Sequence, residues 1–84
     1  MKLGLLAGSI GPRVRVNLEV IKHAETLGFD SVWTAEAWGG DAVTPATWML
    51  AHTSKIKVGT AIMQMPARSP AMTAMTAMSL AELS

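Results

Sequence analysis

The stretch Phe29-Asp30-Ser31-Val32-Trp33-Thr34-Ala35-Glu36 decides the fold class of this 84-residue chain. Its centre, residues 31–35, is a short run rich in β-branched and aromatic residues, which is typical of a β-strand. Gly28 stands just before it, where the left-handed cap of a preceding helix is expected. A helix that leads directly into a buried strand indicates the connection from which parallel sheets are built.

Strands and helices alternate on both sides of this stretch. Strands are predicted at residues 2–7, 31–35 and 56–63, and helices at residues 16–27, 46–53 and 71–83. Thr44 is predicted to cap the second helix with Pro45 at its first position, and Ser69 and Pro70 take the same roles in the third. This order predicts right-handed parallel βαβ units and therefore an α/β fold.

Two short segments admit more than one interpretation. The glycines of residues 4–11 suggest a phosphate-binding loop, but their spacing matches neither the dinucleotide fingerprint nor the P-loop, so we expect a turn at residues 8–12. The Ala-Met-Thr repeat of residues 71–78 suggests either an adaptable binding surface or helix packing. We expect Met72, Met75 and Met78 to pack on the sheet.

Composition and charge argue against several classes of function. Seven basic and six acidic residues give a net charge of +1, which does not favour nucleic-acid binding. No cysteine is present, and His23 and His52 lack metal-ligand spacing, so we predict no metal site. The apolar start is too short for a signal peptide, and residues 69–81 are too few to span a membrane. We therefore expect a cytoplasmic chain with no membrane partner.

The ends of the second and third strands form the predicted pocket. Glu36 follows the second strand, and ligands of parallel α/β sheets and barrels bind at the carboxyl ends of their strands. The alternative for Glu36 is a solvated loop carboxylate or a partner of a helix start. Trp38 is a candidate pocket wall, whereas Trp33 is expected in the core. The third strand ends towards the same pocket and leads into Gln64.

Four motifs in order resemble the N-terminal part of the luciferase-like monooxygenase family. They occupy residues 29–36, 41–45, 57–62 and 66–71, and the resemblance runs through all 84 residues. It is closest to the oxidoreductases of this family that depend on coenzyme F-420, an 8-hydroxy-5-deazaflavin. Members fold as TIM barrels. The resemblance implies that residues 1–84 form about three βα units of a partial TIM barrel, an N-terminal segment rather than a complete domain.

The same resemblance implies a function and a set of site residues. It implies hydride transfer between coenzyme F-420 or FMN and a small organic substrate. Ala61 and Ile62 match the non-prolyl cis peptide that backs the deazaflavin ring, and Glu36 matches an acidic residue near the coenzyme. Several relatives have histidine after that acid where this chain has Ala37, so no catalytic residue is assigned. We place Trp38 and Gln64 in the substrate pocket.

A second interpretation is non-catalytic. A three-stranded sheet with open edges in a chain that is 50% hydrophobic also fits a self-associating α/β module, or one that is covered by the remainder of a barrel. Substrate identity and the choice between FMN and coenzyme F-420 stay open at the level of the residues.

Overall fold

A computed structural model describes residues 1–8 and 12–84 of the chain. In this part of the chain the elements are β1 (Gly4–Leu6), α1 (Leu18–Thr26), β2 (Ser31–Thr34), α2 (Val43–His52), β3 (Lys57–Thr60) and α3 (Pro70–Leu83). The predicted α/β order is confirmed. Residues 9–11 of the predicted turn at 8–12 lie outside the described residues.

The three strands form one parallel sheet in the order β1-β2-β3. Ser31 of β2 is paired with Gly4 on one side and with Lys57 on the other, so β2 is hydrogen-bonded along both edges. Because all strands run in the same direction, their carboxyl ends lie at one edge of the sheet. The loops that follow β2 and β3 therefore meet there.

The core lies between the helices and one face of this sheet. Val32 is fully buried there, and its buried neighbours in the core are Ile21, Ala24, Met49 and Ile56. Alternation along the strand turns Trp33 to the opposite face, where its side chain is 39% exposed. The expectation that Trp33 belongs to the core is therefore wrong, because no helix in the described residues covers that face.

The connection from α1 to β2 follows the predicted glycine cap. Asn17 caps the start of α1 by accepting a hydrogen bond from the Val20 N–H at 3.3 Å. At the other end Gly28 has a φ of +85°, and the Phe29 N–H donates to the Ala24 carbonyl at 3.0 Å. Glycine adopts this left-handed backbone without a steric cost, so the helix stops abruptly and the chain enters β2.

The second helix begins earlier than predicted. It starts at Val43, and Thr44 is not its cap. The Asp41 carboxylate instead accepts hydrogen bonds from both the N–H and the hydroxyl of Thr44, at 2.8 and 3.0 Å. Pro45 lies within the first turn, where an N–H has no partner inside the helix, so proline is tolerated there.

The third helix starts as predicted but packs differently. Ser69 accepts a hydrogen bond from the Met72 N–H at 3.1 Å, and Pro70 follows as the first helical residue. No residue of α3 is buried, and the side chains of the predicted methionine stripe, Met72, Met75 and Met78, are 48–69% exposed. The expected packing of this stripe on the sheet is wrong, because α3 turns the half-buried Thr73, Thr76 and Leu80 inwards instead. No helix in residues 1–8 and 12–84 combines the length and apolar character needed to cross a membrane.

Gly59 of β3 allows the Trp33 indole to lie across the sheet. A Cβ atom at position 59 would stand 2.5 Å from Cζ3 of Trp33. The indole N–H donates to the Ser31 hydroxyl at 2.9 Å, which holds the ring in this orientation. The absence of a side chain at Gly59 is therefore a packing requirement.

We expect Gly59→Ala to lower the free energy of unfolding by about 1–3 kcal/mol, because the new methyl group overlaps the indole. The measurement is urea unfolding followed by circular dichroism. In a Trp33→Leu background the same substitution is expected to cost less than half as much. An equal cost in both backgrounds would contradict the proposed overlap.

Glu25, near the end of α1, organises the segment that precedes β3. One oxygen of its carboxylate accepts hydrogen bonds from the backbone N–H groups of Ser54, Lys55 and Ile56, at 2.9, 2.7 and 2.9 Å. The bond from Ile56 is the largest cause that lowers the pKa of Glu25, followed by the bond from Lys55. A single side chain thus satisfies three consecutive backbone donors that have no strand partner.

We expect Glu25→Gln to lower the free energy of unfolding at pH 7 by about 1 kcal/mol, since a neutral amide accepts these bonds more weakly. The folded pKa is lowered, so this stabilisation is present at neutral pH and is lost as the pH falls through that pKa. Urea unfolding at pH 7 and pH 3 measures both effects. Glu82→Gln, an exposed change of equal charge, is the control, and a loss as large in that variant would argue against the amide contacts.

Candidate functional site

Glu36 lies in the loop after β2, at the carboxyl edge of the sheet. Its side chain is only 6% exposed. Its backbone N–H donates to the carbonyl of Ile62 at 3.1 Å, which joins this loop to the one that follows β3. The predicted position of Glu36 at a strand end is therefore observed, whereas a solvated loop carboxylate is not. The alternative of a helix-start partner is also observed, because Glu36 accepts the N–H of Ala42, the residue that precedes α2.

The carboxylate of Glu36 has four hydrogen-bond donors. Arg68 contributes two, with Nη1 at 2.5 Å from Oε1 and Nη2 at 3.0 Å from Oε2. The backbone N–H of Gln64 donates to Oε1 at 2.6 Å, and that of Ala42 donates to Oε2 at 2.8 Å. A bidentate guanidinium and two amides fill the acceptor positions of an ionised carboxylate.

These donors determine the charge of Glu36. The hydrogen bonds from Arg68 are the main cause that lowers the pKa of Glu36 to about 2, and the amides of Ala42 and Gln64 act in the same direction. Removal from water opposes them but is outweighed. Glu36 is therefore ionised at neutral pH and poorly suited to donate a proton.

A buried hydroxyl at the end of β2 holds Ala42, one of the donor residues, in place. Thr34, the last residue of β2, is fully buried, and its hydroxyl donates to the carbonyl of Ala42 at 2.8 Å. Ala42 is also fully buried. Ala42, the residue that donates its N–H to Glu36, is thus held through its own carbonyl at the start of α2.

The segment after β3 is attached to the β2 loop at several points. The N–H of Ala61 donates to the Thr34 carbonyl at 2.6 Å, which extends the sheet contact by one residue beyond β3. The peptide bond between Ala61 and Ile62 is cis, which is the geometry that the family resemblance implies. The side-chain amide of Gln64 donates to the carbonyl of Ala37.

The structure brings together four of the five predicted site residues. Glu36, Ala61, Ile62 and Gln64 come together through the contacts above. Ile62 exposes 72% of its surface beside them and Trp38 exposes 75%. Contacts of these residues with a coenzyme or a substrate stay predictions.

The sequence predictions gave no role to Arg68, although it is the counter-ion of Glu36. It is the only charged residue between Lys57 and Glu82. A lone cation within such an apolar stretch needs a partner when it is buried, and the Arg68 side chain is only 16% exposed. That isolation was the available signal, but the sequence did not indicate which carboxylate is the partner.

A groove next to α3 is not lined by this group of residues. It has a volume of about 750 Å³ and runs between α2, β3 and α3. Glu36, Trp38, Ala61, Ile62 and Gln64 are absent from its lining. Among residues 1–8 and 12–84, no three His, Cys, Asp or Glu side chains are grouped as metal ligands.

Comparison with known proteins identifies the family. Residues 2–84 match the model of the luciferase-like monooxygenase family. The whole chain is 46% identical, over 85 aligned residues, to a Mycobacterium tuberculosis protein whose name proposes a coenzyme F-420-dependent oxidoreductase. The chain spans 24% of that relative's length. No solved structure matches the chain. The chain belongs to the luciferase-like monooxygenase family.

We expect acid to weaken the fold partly through Glu36. Its pKa is about 2 in the folded chain and ordinarily 4.5, so folding favours the ionised form. The resulting stabilisation, about 2–3 kcal/mol, is present above pH 4.5 and is lost as the pH falls towards 2. Urea unfolding between pH 6 and pH 2.5 should show a loss that is smaller by this amount in Glu36→Gln. Parallel pH profiles for the two proteins would contradict the ion pair, and Glu82→Gln serves as the control.

Proposed function

We propose that this member of the luciferase-like monooxygenase family provides one wall of a coenzyme F-420 site. The oxidoreductase would move a hydride between the coenzyme and a small organic substrate. One observation carries the proposal: the exposed apolar side chain of Ile62 lies at the carboxyl edge of a parallel sheet, on a segment that backbone hydrogen bonds attach to β2 and its loop. The name of the Mycobacterium tuberculosis relative supports coenzyme F-420 as the cofactor.

The residues present fit a flat conjugated ring. The Ile62 side chain is 72% exposed and apolar, and the peptide beside it is held by hydrogen bonds of Ala61 and Ile62 to the β2 side. A preorganised apolar wall of this kind suits a ring system better than a mobile loop does. In the proposal Ala61 and Ile62 lie against the ring, while Trp38 and Gln64 border the substrate.

The protein's part in the reaction is positioning. When bound, the deazaflavin supplies the carbon that accepts or donates the hydride. The chain orients this ring against Ile62 and excludes water from one side of it. Glu36, ionised and fully hydrogen-bonded, contributes through the loops that it holds rather than by proton transfer.

The proposal also covers the alternative coenzyme, the cellular location and the binding partners. FMN is the alternative coenzyme, because a neutral apolar wall does not distinguish the two rings. We propose that residues 1–84 act as the N-terminal segment of a TIM barrel in the cytoplasm, which suits a cysteine-free sequence. The partners in this proposal are a small-molecule substrate and the remaining barrel strands, with neither nucleic acid nor membrane involved.

A non-catalytic, self-associating module is the second candidate. The observation that favours it is α3, which buries no residue although its methionine stripe is apolar. Sedimentation velocity separates the two candidates. Concentration-dependent association without coenzyme binding would favour the module.

We expect coenzyme F-420 to bind saturably to the protein at the length that its gene encodes, and Ile62→Glu to weaken binding at least tenfold. The charge introduced by this substitution would face an anionic coenzyme and interrupt the apolar wall. Fluorescence titration with coenzyme F-420 and, in parallel, with FMN measures this. Leu27→Glu, at an exposed position at the end of α1, is the matched control and should bind as the parent does. If only FMN binds, FMN and not coenzyme F-420 is the coenzyme of this site. If neither binds, the proposal is overturned.

A further inference from the structure

We propose that Glu36 and Arg68 are positioning residues, whose ion pair holds the Ala61-Ile62 peptide in place and thereby sets coenzyme affinity without contact with the ring. The affinity part of this inference rests on the proposed function. The positioning part rests on the contacts of the described residues alone. It assigns a role to Arg68 and changes the role implied for Glu36.

The ion pair fixes the C-terminal end of the segment formed by residues 61–68. Glu36 belongs to the loop after β2, and Arg68 precedes Ser69, the cap of α3. Residues 61–68 therefore run from the end of β3 to a guanidinium that is held by a buried carboxylate. The pair ties the beginning of α3 to the central strand, even though α3 itself has no buried residue.

The same glutamate also attaches the middle of this segment. Its N–H donates to the carbonyl of Ile62 at 3.1 Å, and its Oε1 accepts from the N–H of Gln64 at 2.6 Å. The main chain of Glu36 is thus hydrogen-bonded to residue 62, and its side chain is hydrogen-bonded to residue 64. Loss of the carboxylate would leave the Gln64 N–H and the Arg68 guanidinium without this acceptor, and Ile62 with its backbone bond alone.

Burial argues against direct contact of either side chain with the coenzyme. Only 6% of the Glu36 side chain and 16% of the Arg68 side chain are exposed, whereas Ile62 is 72% exposed. The carboxylate has already accepted four hydrogen bonds, and the pair as a whole is neutral. The wall therefore presents Ile62 to a ligand, with the ion pair behind it.

The identity of the cation matters in this arrangement. Both guanidinium nitrogens of Arg68 that face Glu36 are used, one on each carboxylate oxygen. Lysine would keep the charge but would bind one oxygen at a time. Arg68→Lys is therefore a conservative variant that should restore part of what Arg68→Met loses.

The first experiment compares coenzyme F-420 affinity among variants of the protein at its native length. We expect Glu36→Gln and Arg68→Met each to weaken binding about tenfold, the double variant to be no worse than either single one, and Arg68→Lys to lie between. The matched control is the exposed pair of Lys57 and Asp30, whose charged atoms are 3.4 Å apart. Lys57→Met should change affinity less than twofold.

Two outcomes of this titration would overturn the inference. The first is affinity unchanged in Arg68→Met, and the second is a loss in Glu36→Gln that clearly exceeds the loss in Arg68→Met. The second result would mean that the carboxylate acts on the coenzyme directly. All titrations are made on variants that circular dichroism shows to be folded, and Arg68→Lys remains informative where Glu36→Gln fails to fold.

A second measurement needs no coenzyme. Amide hydrogen exchange at Glu36 and Gln64, whose N–H groups bond the Ile62 carbonyl and the Glu36 carboxylate, should be at least tenfold faster in Arg68→Met than in the parent and unchanged in Lys57→Met. If the parent binds no coenzyme, the proposed function fails, and this exchange rate still decides whether the pair positions the segment. Equal exchange in the parent and Arg68→Met would overturn the positioning role.

Discussion

The bidentate ion pair of Glu36 and Arg68 is the constraint on which the carboxyl edge of the sheet depends. A buried carboxylate is costly unless its oxygens are satisfied, and a guanidinium with two backbone amides satisfies them. Three separate segments supply these donors: the start of α2, the loop after β3 and the residue before the cap of α3. Their positions at this edge are therefore mutually dependent, because each helps to neutralise the same charge.

Glu25 performs a similar task at the opposite edge of the sheet. Its carboxylate accepts hydrogen bonds from three backbone amides of the segment that enters β3. Glu36 likewise accepts hydrogen bonds from amides of the segments that follow β2 and β3. Strands of three or four residues offer few ladder hydrogen bonds of their own. In this small sheet, acidic side chains satisfy the backbone groups that the short strands leave unpaired, and so they hold the connections in register.

The order and type of the elements were predictable, because hydrophobic runs, the glycine at position 28 and the Ser69-Pro70 cap are local signals. Details that depend on distant partners were not. Thr44 looks like a helix cap in sequence, but Asp41 accepts its N–H and the helix begins at Val43. Glu36 was predictable from its place at a strand end. Its environment was not, since Arg68 lies 32 residues away and no local pattern connects them.

The long-range hydrogen bonds of the two glutamates span similar lengths of chain. Glu25 reaches amides 29–31 residues ahead, and Glu36 reaches Gln64 and Arg68 at 28 and 32 residues. Each tie therefore encloses one strand and one helix, which are β2 and α2 for Glu25 and α2 and β3 for Glu36. The entropy of closing a loop grows slowly with its length, and none of these ties encloses more than one such unit. A chain organised in this way gains its stabilising contacts stepwise as it lengthens, so successive units are able to close in the order in which a ribosome releases them.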